Sequence, residues 1–113
     1  MRNKLILLIF IFFFSLNNSF SQMKKISFEV AGMCGMCQDR IENALDIKGV
    51  KTAYWSAETQ ICKITYNSSK ISEKEIHQAI AKEGHDTPMA QATEKAYEAL
   101  HQCCRYDRLD YSK

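Results

Sequence analysis

Proline is almost missing from this chain: Pro88 is the only one in 113 residues. It stands neither between nor clearly facing the paired cysteines Cys34 and Cys37, where a dithiol redox site would use one. Catalytic patterns are missing too. No paired acid and base, nucleophile triad or phosphate-cradling loop can be read, so no enzyme activity is assigned. The apolar run near the start, Leu5 to Leu16, falls short of the roughly 20 residues that a membrane span needs. There is no internal repeat and no long linker.

Net charge is also small. The formal value is +2, and two of the basic residues, Arg2 and Lys4, sit in a start that reads as a secretory signal. Met1 to Lys4 is positive, Leu5 to Leu16 is apolar apart from Ser15, and Ser19-Phe20-Ser21 forms a small-x-small site before Gln22. Residues 1–21 are therefore expected to be removed, with an uncleaved anchor as the competing reading. Cleavage leaves the basic and acidic residues balanced at 13 each. A neutral domain has no electrostatic case for nucleic acid, and no stable membrane insertion is expected after cleavage. The expected location is periplasmic or otherwise exported, where disulfides are permitted.

The remaining chain reads as alternating elements. Lys24 to Val30 places Ile26, Phe28 and Val30 on one face of a strand. A helix through Ile41, Ala44 and Leu45 ends at Gly49. Two strands follow, Lys51 to Ser56 and Ile61 to Tyr66, the second turning Cys62, Ile64 and Tyr66 inward. Ser72-Glu73-Lys74-Glu75 is a capping box that opens a second helix carrying Ile76, Ala79 and Ile80 and stopping at Gly84. This order predicts an α+β fold, a ferredoxin-like βαββαβ sandwich. Its last strand, His85 to Ala90, is short and interrupted by Pro88, which suits only an edge or bulge. Thr93 caps an extra C-terminal helix with Ala96, Tyr97 and Leu100, and the charged tail from Asp107 is expected to fray. The domain is thus 22–88, with a helical extension over 89–113.

Cys34 and Cys37 lie on the turn where the first strand passes through Gly32 and Gly35 into the helix. Three residues apart, with one on the loop and one in the first helical turn, their sulfurs can face one point. The positive helix end favours a thiolate there. Two converging thiolates serve either soft-metal binding or dithiol–disulfide oxidoreduction. A third reading is a structural module held by zinc or by disulfides.

Gly32-Met33 before a two-cysteine turn, the helix to Leu45, Gly49-Val50, Ile64-Thr65-Tyr66 and the helix end from Ile80 to Gly84 resemble the heavy-metal-associated domain. The resemblance covers Lys24 to Thr87. It implies a ferredoxin-like metal carrier or scavenger with Cys34 and Cys37 holding one soft ion in a near-linear, open site. The ion is copper(I) first, with mercury(II) or zinc(II) as alternatives, passed on by ligand exchange. The implied partner is a metal donor or acceptor such as a metal-transporting ATPase or an efflux component. The chain departs from the family pattern in having one residue fewer before the first cysteine. It also has His85 where the family often places an aromatic residue or lysine, which makes His85 an optional third ligand or a plain exposed imidazole.

Beyond the resemblance, His101, Cys103 and Cys104 stand on the extension. If it folds back toward the cysteine turn they would add ligands and build a closed thiolate site; otherwise they form a disulfide or a surface pair. Cys62 reads as a buried structural cysteine, Trp55 and Phe28 as core, and Met36 as surface packing rather than a thioether ligand.

Overall fold

The computed structural model describes residues 22–112. The expected signal segment, residues 1–21, lies outside the described residues. The elements are β1 (Met23–Glu29), α1 (Gly35–Ala44), β2 (Val50–Trp55), β3 (Ile61–Asn67), α2 (Glu73–Lys82) and α3 (Glu94–Glu98), followed by a 3-10 turn over Gln102–Cys104. The strands form one antiparallel sheet in the order β1-β3-β2. The fold is α+β and matches the ferredoxin-like expectation.

Register follows from the alternating pattern, because a one-residue slip would turn every inward side chain to water. Phe28 and Trp55 flank Cys62 from the two sides of β3, and Ile26 and Ala53 flank Ile64 in the next inward row. The helices cover that face. Helix α1 contributes Cys37 and Ile41, and its C-cap Leu45 continues the same stripe at a spacing of four, while α2 contributes Ile76 and Ile80. Burying a side chain such as Ile41 or Leu45 stabilises the fold by about 1.5–3 kcal/mol each.

Ser72 accepts from the Glu75 backbone N–H at 3.1 Å, which satisfies one free helix amide of α2. Both predicted glycine stops adopt the left-handed region, with φ of +100° at Gly49 and +105° at Gly84. A side chain at Gly84 would also run into the Ala96 carbonyl, 2.7 Å from where its Cβ would stand.

The predicted last strand does not form. Among the described residues, this segment shows only a local bridge between Thr87 and Ala90 and one backbone bond to the first strand's extension, Ala31 N–H to Asp86 O at 3.0 Å. The reason lies in its polar groups. Pro88 has no N–H to give, the Asp86 N–H donates to the Tyr106 hydroxyl at 2.8 Å, and the Ala92 and Leu109 N–H groups donate to the Asp86 carboxylate. The Asp86 amide and carboxylate are thus engaged by the C-terminal extension and not by a strand neighbour.

The tail is not frayed, contrary to expectation. Leu100, Cys104 and Tyr106 join the same core cluster as Val30 and Trp55. Arg108 reaches Asp86, and the Tyr111 hydroxyl donates to the Thr87 carbonyl at 2.6 Å. Aromatic and charged residues spread along an irregular segment carry no periodic signal, which is why the packing could not be read in advance.

Candidate metal centre

The turn between β1 and α1 is held by two side chains. The Gln60 side-chain amide donates to the Gly32 carbonyl at 2.7 Å, and the Trp55 indole donates to the Val30 carbonyl at 2.9 Å. Gly32 has to be glycine here, because a Cβ would stand 2.8 Å from the buried Trp55 ring. Cys34 is the N-cap of α1 in an extended conformation, and its carbonyl accepts from the Cys37 and Gln38 N–H groups. This leaves Cys34 half-buried at the loop edge and Cys37 wholly buried in the first turn.

The Cys34 Sγ lies 3.9 Å from the Cys37 Sγ. It also lies 3.8 Å from the Cys104 Sγ and 3.7 Å from the Cys103 Sγ. The sulfurs of Cys34, Cys37 and Cys104 all fall within 4.8 Å of one another. Cys103 is exposed and touches the Met36 thioether at 3.8 Å, while Cys104 is completely buried. All five cysteines are free. The extension thus does fold back on the turn, bringing together four of the sulfurs that the sequence singled out.

Their protonation is shared unevenly. Backbone N–H groups at the start of α1, that of Cys37 foremost, outweigh modest burial at Cys34, and the Cys103 and Cys104 thiols add to the effect. The Cys34 thiol is brought down to about 7. Cys104 is pushed up, by burial first and then by its neighbours Cys37 and Cys34. Cys103 is raised mainly through its contact with Cys34. A readily ionised Cys34 with further cysteine sulfurs beside it suits a soft cation, which binds as protons leave.

The other candidates lie elsewhere. His85 is fully buried rather than an exposed loop residue. Its Nδ1–H donates to the Ala31 carbonyl at 2.8 Å, its ring stacks on Tyr106, and its Nε2 has no hydrogen-bond partner. It stands outside the three-sulfur group. His101 is exposed, and its carbonyl accepts from the Cys104 N–H at 2.8 Å, so its backbone, not its ring, shapes the turn. Cys62 is buried under the sheet, and burial followed by the nearby Glu42 charge pushes it up to about 12. Met33 and Met36 are exposed beside the turn.

The sequence reading missed three residues that position this centre, Asp86, Tyr106 and Arg108. An acid just before the extension and a tyrosine and an arginine within it were the only signal for them.

Buried histidines also predict acid sensitivity. Burial holds both His77 and His85 below the usual imidazole value, so the folded state keeps them neutral. The unfolded chain binds protons at these sites below about pH 6.5, so stability is full above that value and declines as pH falls. The urea midpoint of the metal-free protein is expected to drop between pH 7 and pH 5. A flat midpoint would show that neither ring is held neutral.

The family model of the heavy-metal-associated domain matches residues 27–86, more than half of the chain. This chain belongs to the heavy-metal-associated domain family. It is 30% identical to the CopZ metallochaperone, with a TM-score of 0.55 over 57% of this chain and 98% of that one. A similar likeness, 30% identity and TM-score 0.55, links it to the N-terminal domain of a potential copper-translocating P-type ATPase from Bacillus subtilis in its Cu(I)-loaded state, over 57% of this chain and 84% of that one. The oxidized MerP of Ralstonia metallidurans CH34 shares the fold at 22% identity and TM-score 0.55, over 57% of this chain and 93% of that one. No curated protein sequence matches it. Family and structural likeness together support a heavy-metal-binding carrier. The matched region ends before the extension that carries Cys103 and Cys104.

Proposed function

We propose that this chain is an exported carrier or scavenger of a soft metal ion, copper(I) first and mercury(II) as the alternative, bound by Cys34 and Cys37. The observation that carries this reading is the pair itself: a half-buried, readily ionised Cys34 beside a buried Cys37, 3.9 Å apart at a rigid strand-to-helix turn. Thiolates select soft ions over hard ones. The ion is cargo, and it leaves by ligand exchange as an acceptor's thiolates replace those of the carrier. The likeness to P-type ATPase domains supports a metal-transporting ATPase or efflux component as the acceptor. Export rests on the charged and apolar start of the sequence.

The rival dithiol oxidoreductase needs a group to accept a proton from the attacking thiol. Among the described residues, the groups around the Cys34 Sγ are other cysteine sulfurs, the Cys103 carbonyl and the backbone N–H groups at the start of α1. That environment favours a metal over electron transfer.

The test is an anaerobic titration of the reduced protein with Cu(I), Hg(II) and Zn(II). One Cu(I) or Hg(II) per chain is expected, with zinc displaced by either, and the mass of the exported protein is expected to begin at Gln22. Failure to bind any of the three ions with reduced thiols would remove the carrier reading.

A further inference from the structure

We propose that Cys104 is a third, intramolecular ligand, which closes the two-cysteine site of this carrier into a trigonal three-sulfur site for Cu(I) or Hg(II). The inference rests on the carrier reading and adds to it how firmly the ion is kept.

Sulfur spacing is the first ground. With metal–sulfur bonds of about 2.3 Å, two sulfurs across a linear ion stand roughly 4.6 Å apart, whereas three around a trigonal ion stand roughly 4.0 Å apart. The separations are 3.9 Å for Cys34 to Cys37 and 3.8 Å for Cys34 to Cys104. Cys104 lies within 4.8 Å of Cys37 as well. The turn is already spaced for three sulfurs, and a linear ion would have to spread the pair.

The second ground is that Cys104 is held in place. The 3-10 turn that carries it is closed by the His101 carbonyl. Tyr106, two residues on, is pinned at both ends. Its hydroxyl donates to the Gly84 carbonyl at 2.6 Å and accepts from the Asp86 N–H, while its own carbonyl accepts from the Tyr97 hydroxyl at 2.6 Å. Arg108 then locks the segment to Asp86. A surface pair of thiols would not need such anchoring, and Cys104 is fully buried while its neighbour Cys103 is not.

The consequence concerns release. In a two-cysteine carrier the third coordination position is open to an acceptor's thiolate. Here Cys104 already occupies it, at an effective concentration on the order of millimolar or higher because it is tethered. For transfer, an acceptor thiol bonds the ion as the Cys104–ion bond breaks, and the acceptor's proton ends on Cys104. No electrons move between the partners. The extension therefore makes this domain a holding site that yields its ion only when the turn carrying Cys104 is displaced.

X-ray absorption on the Cu(I)-loaded protein tests this directly, because the wild-type shell needs no variant to be read. Three sulfurs are expected. In Cys104→Ala two are expected, and a Cu(I) chelator should strip the ion at a concentration at least about tenfold lower, the lower end of what even an outer-shell partner contributes to metal affinity. Cys104→Ser is the second variant should the alanine loosen the core. A two-sulfur wild-type shell, or an unchanged shell and chelator response in the Cys104 variants, would overturn the proposal while leaving the carrier intact. A wild-type protein that takes up no Cu(I) would overturn both.

Discussion

The Cys34→Ser, Cys37→Ala double variant is expected to lose stoichiometric soft-metal binding, with affinity falling by at least about a hundredfold. Removing a mere outer-shell partner of a metal ligand costs about 10–100-fold, and here two direct ligands are deleted together. What remains is Cys103 and Cys104, adjacent in sequence, one exposed and one buried. The substitutions are chosen so that the fold survives. Serine suits position 34, since the N-cap of α1 has no side-chain hydrogen bond and a hydroxyl there can accept from a free helix amide. Alanine suits position 37, because a buried hydroxyl without a partner would cost about 1–3 kcal/mol. Competition titration reads the affinity, and unchanged circular dichroism shows that structure is kept. One tightly held ion in the double variant would place the site elsewhere in the chain.

Arg108→Ala is expected to destabilise the protein by about 3 kcal/mol, the lower end of the cost of leaving a buried charge without its partner. The guanidinium grips both oxygens of Asp86, at 2.7 and 3.0 Å, and the Asp86 side chain is completely buried. The lower end applies because Asp86 keeps the Ala92 and Leu109 N–H groups as donors. Burial alone would raise the Asp86 pKa, but Arg108 and these backbone donors outweigh it and hold the carboxyl below its ordinary value. Its stabilising contribution is therefore present above about pH 4 and is lost as pH falls through the folded value. The urea midpoint should fall with an unchanged slope. A loss of no more than about 1 kcal/mol would mark the pair as no better than an exposed salt bridge. Because Arg108 anchors the segment that bears Cys104, the same variant should loosen the sulfur cluster.

How far the sequence could be read differs from element to element. The strands were legible because Ile26, Phe28, Cys62 and Ile64 alternate, and burial on one face leaves a single register. The helix ends were legible because Gly49 and Gly84 supply a backbone conformation that other residues avoid. The last strand was misread. Pro88 was weighed as a strand interruption, but the decisive factor was Asp86, whose amide and carboxylate are engaged by a segment twenty residues further on. His85 was read either as an optional third ligand or as an exposed loop imidazole, and only the packing of Tyr106 over it shows that it is buried.

The sequence by itself determined the element order, the capped and glycine-terminated helices, and the placing of Cys34 and Cys37 at a strand-to-helix turn. Those features depend on residues close together in the chain, through period, capping and backbone freedom. Only the tertiary structure decided that Cys104 approaches this pair, that Cys103 stays at the surface and that His85 is buried outside the three-sulfur group. Cys34 and Cys104 are seventy residues apart, and their meeting depends on Asp86, Tyr106 and Arg108 folding an aperiodic extension back across the domain. The arrival of a third sulfur is a property of that packing, which no local pattern encodes.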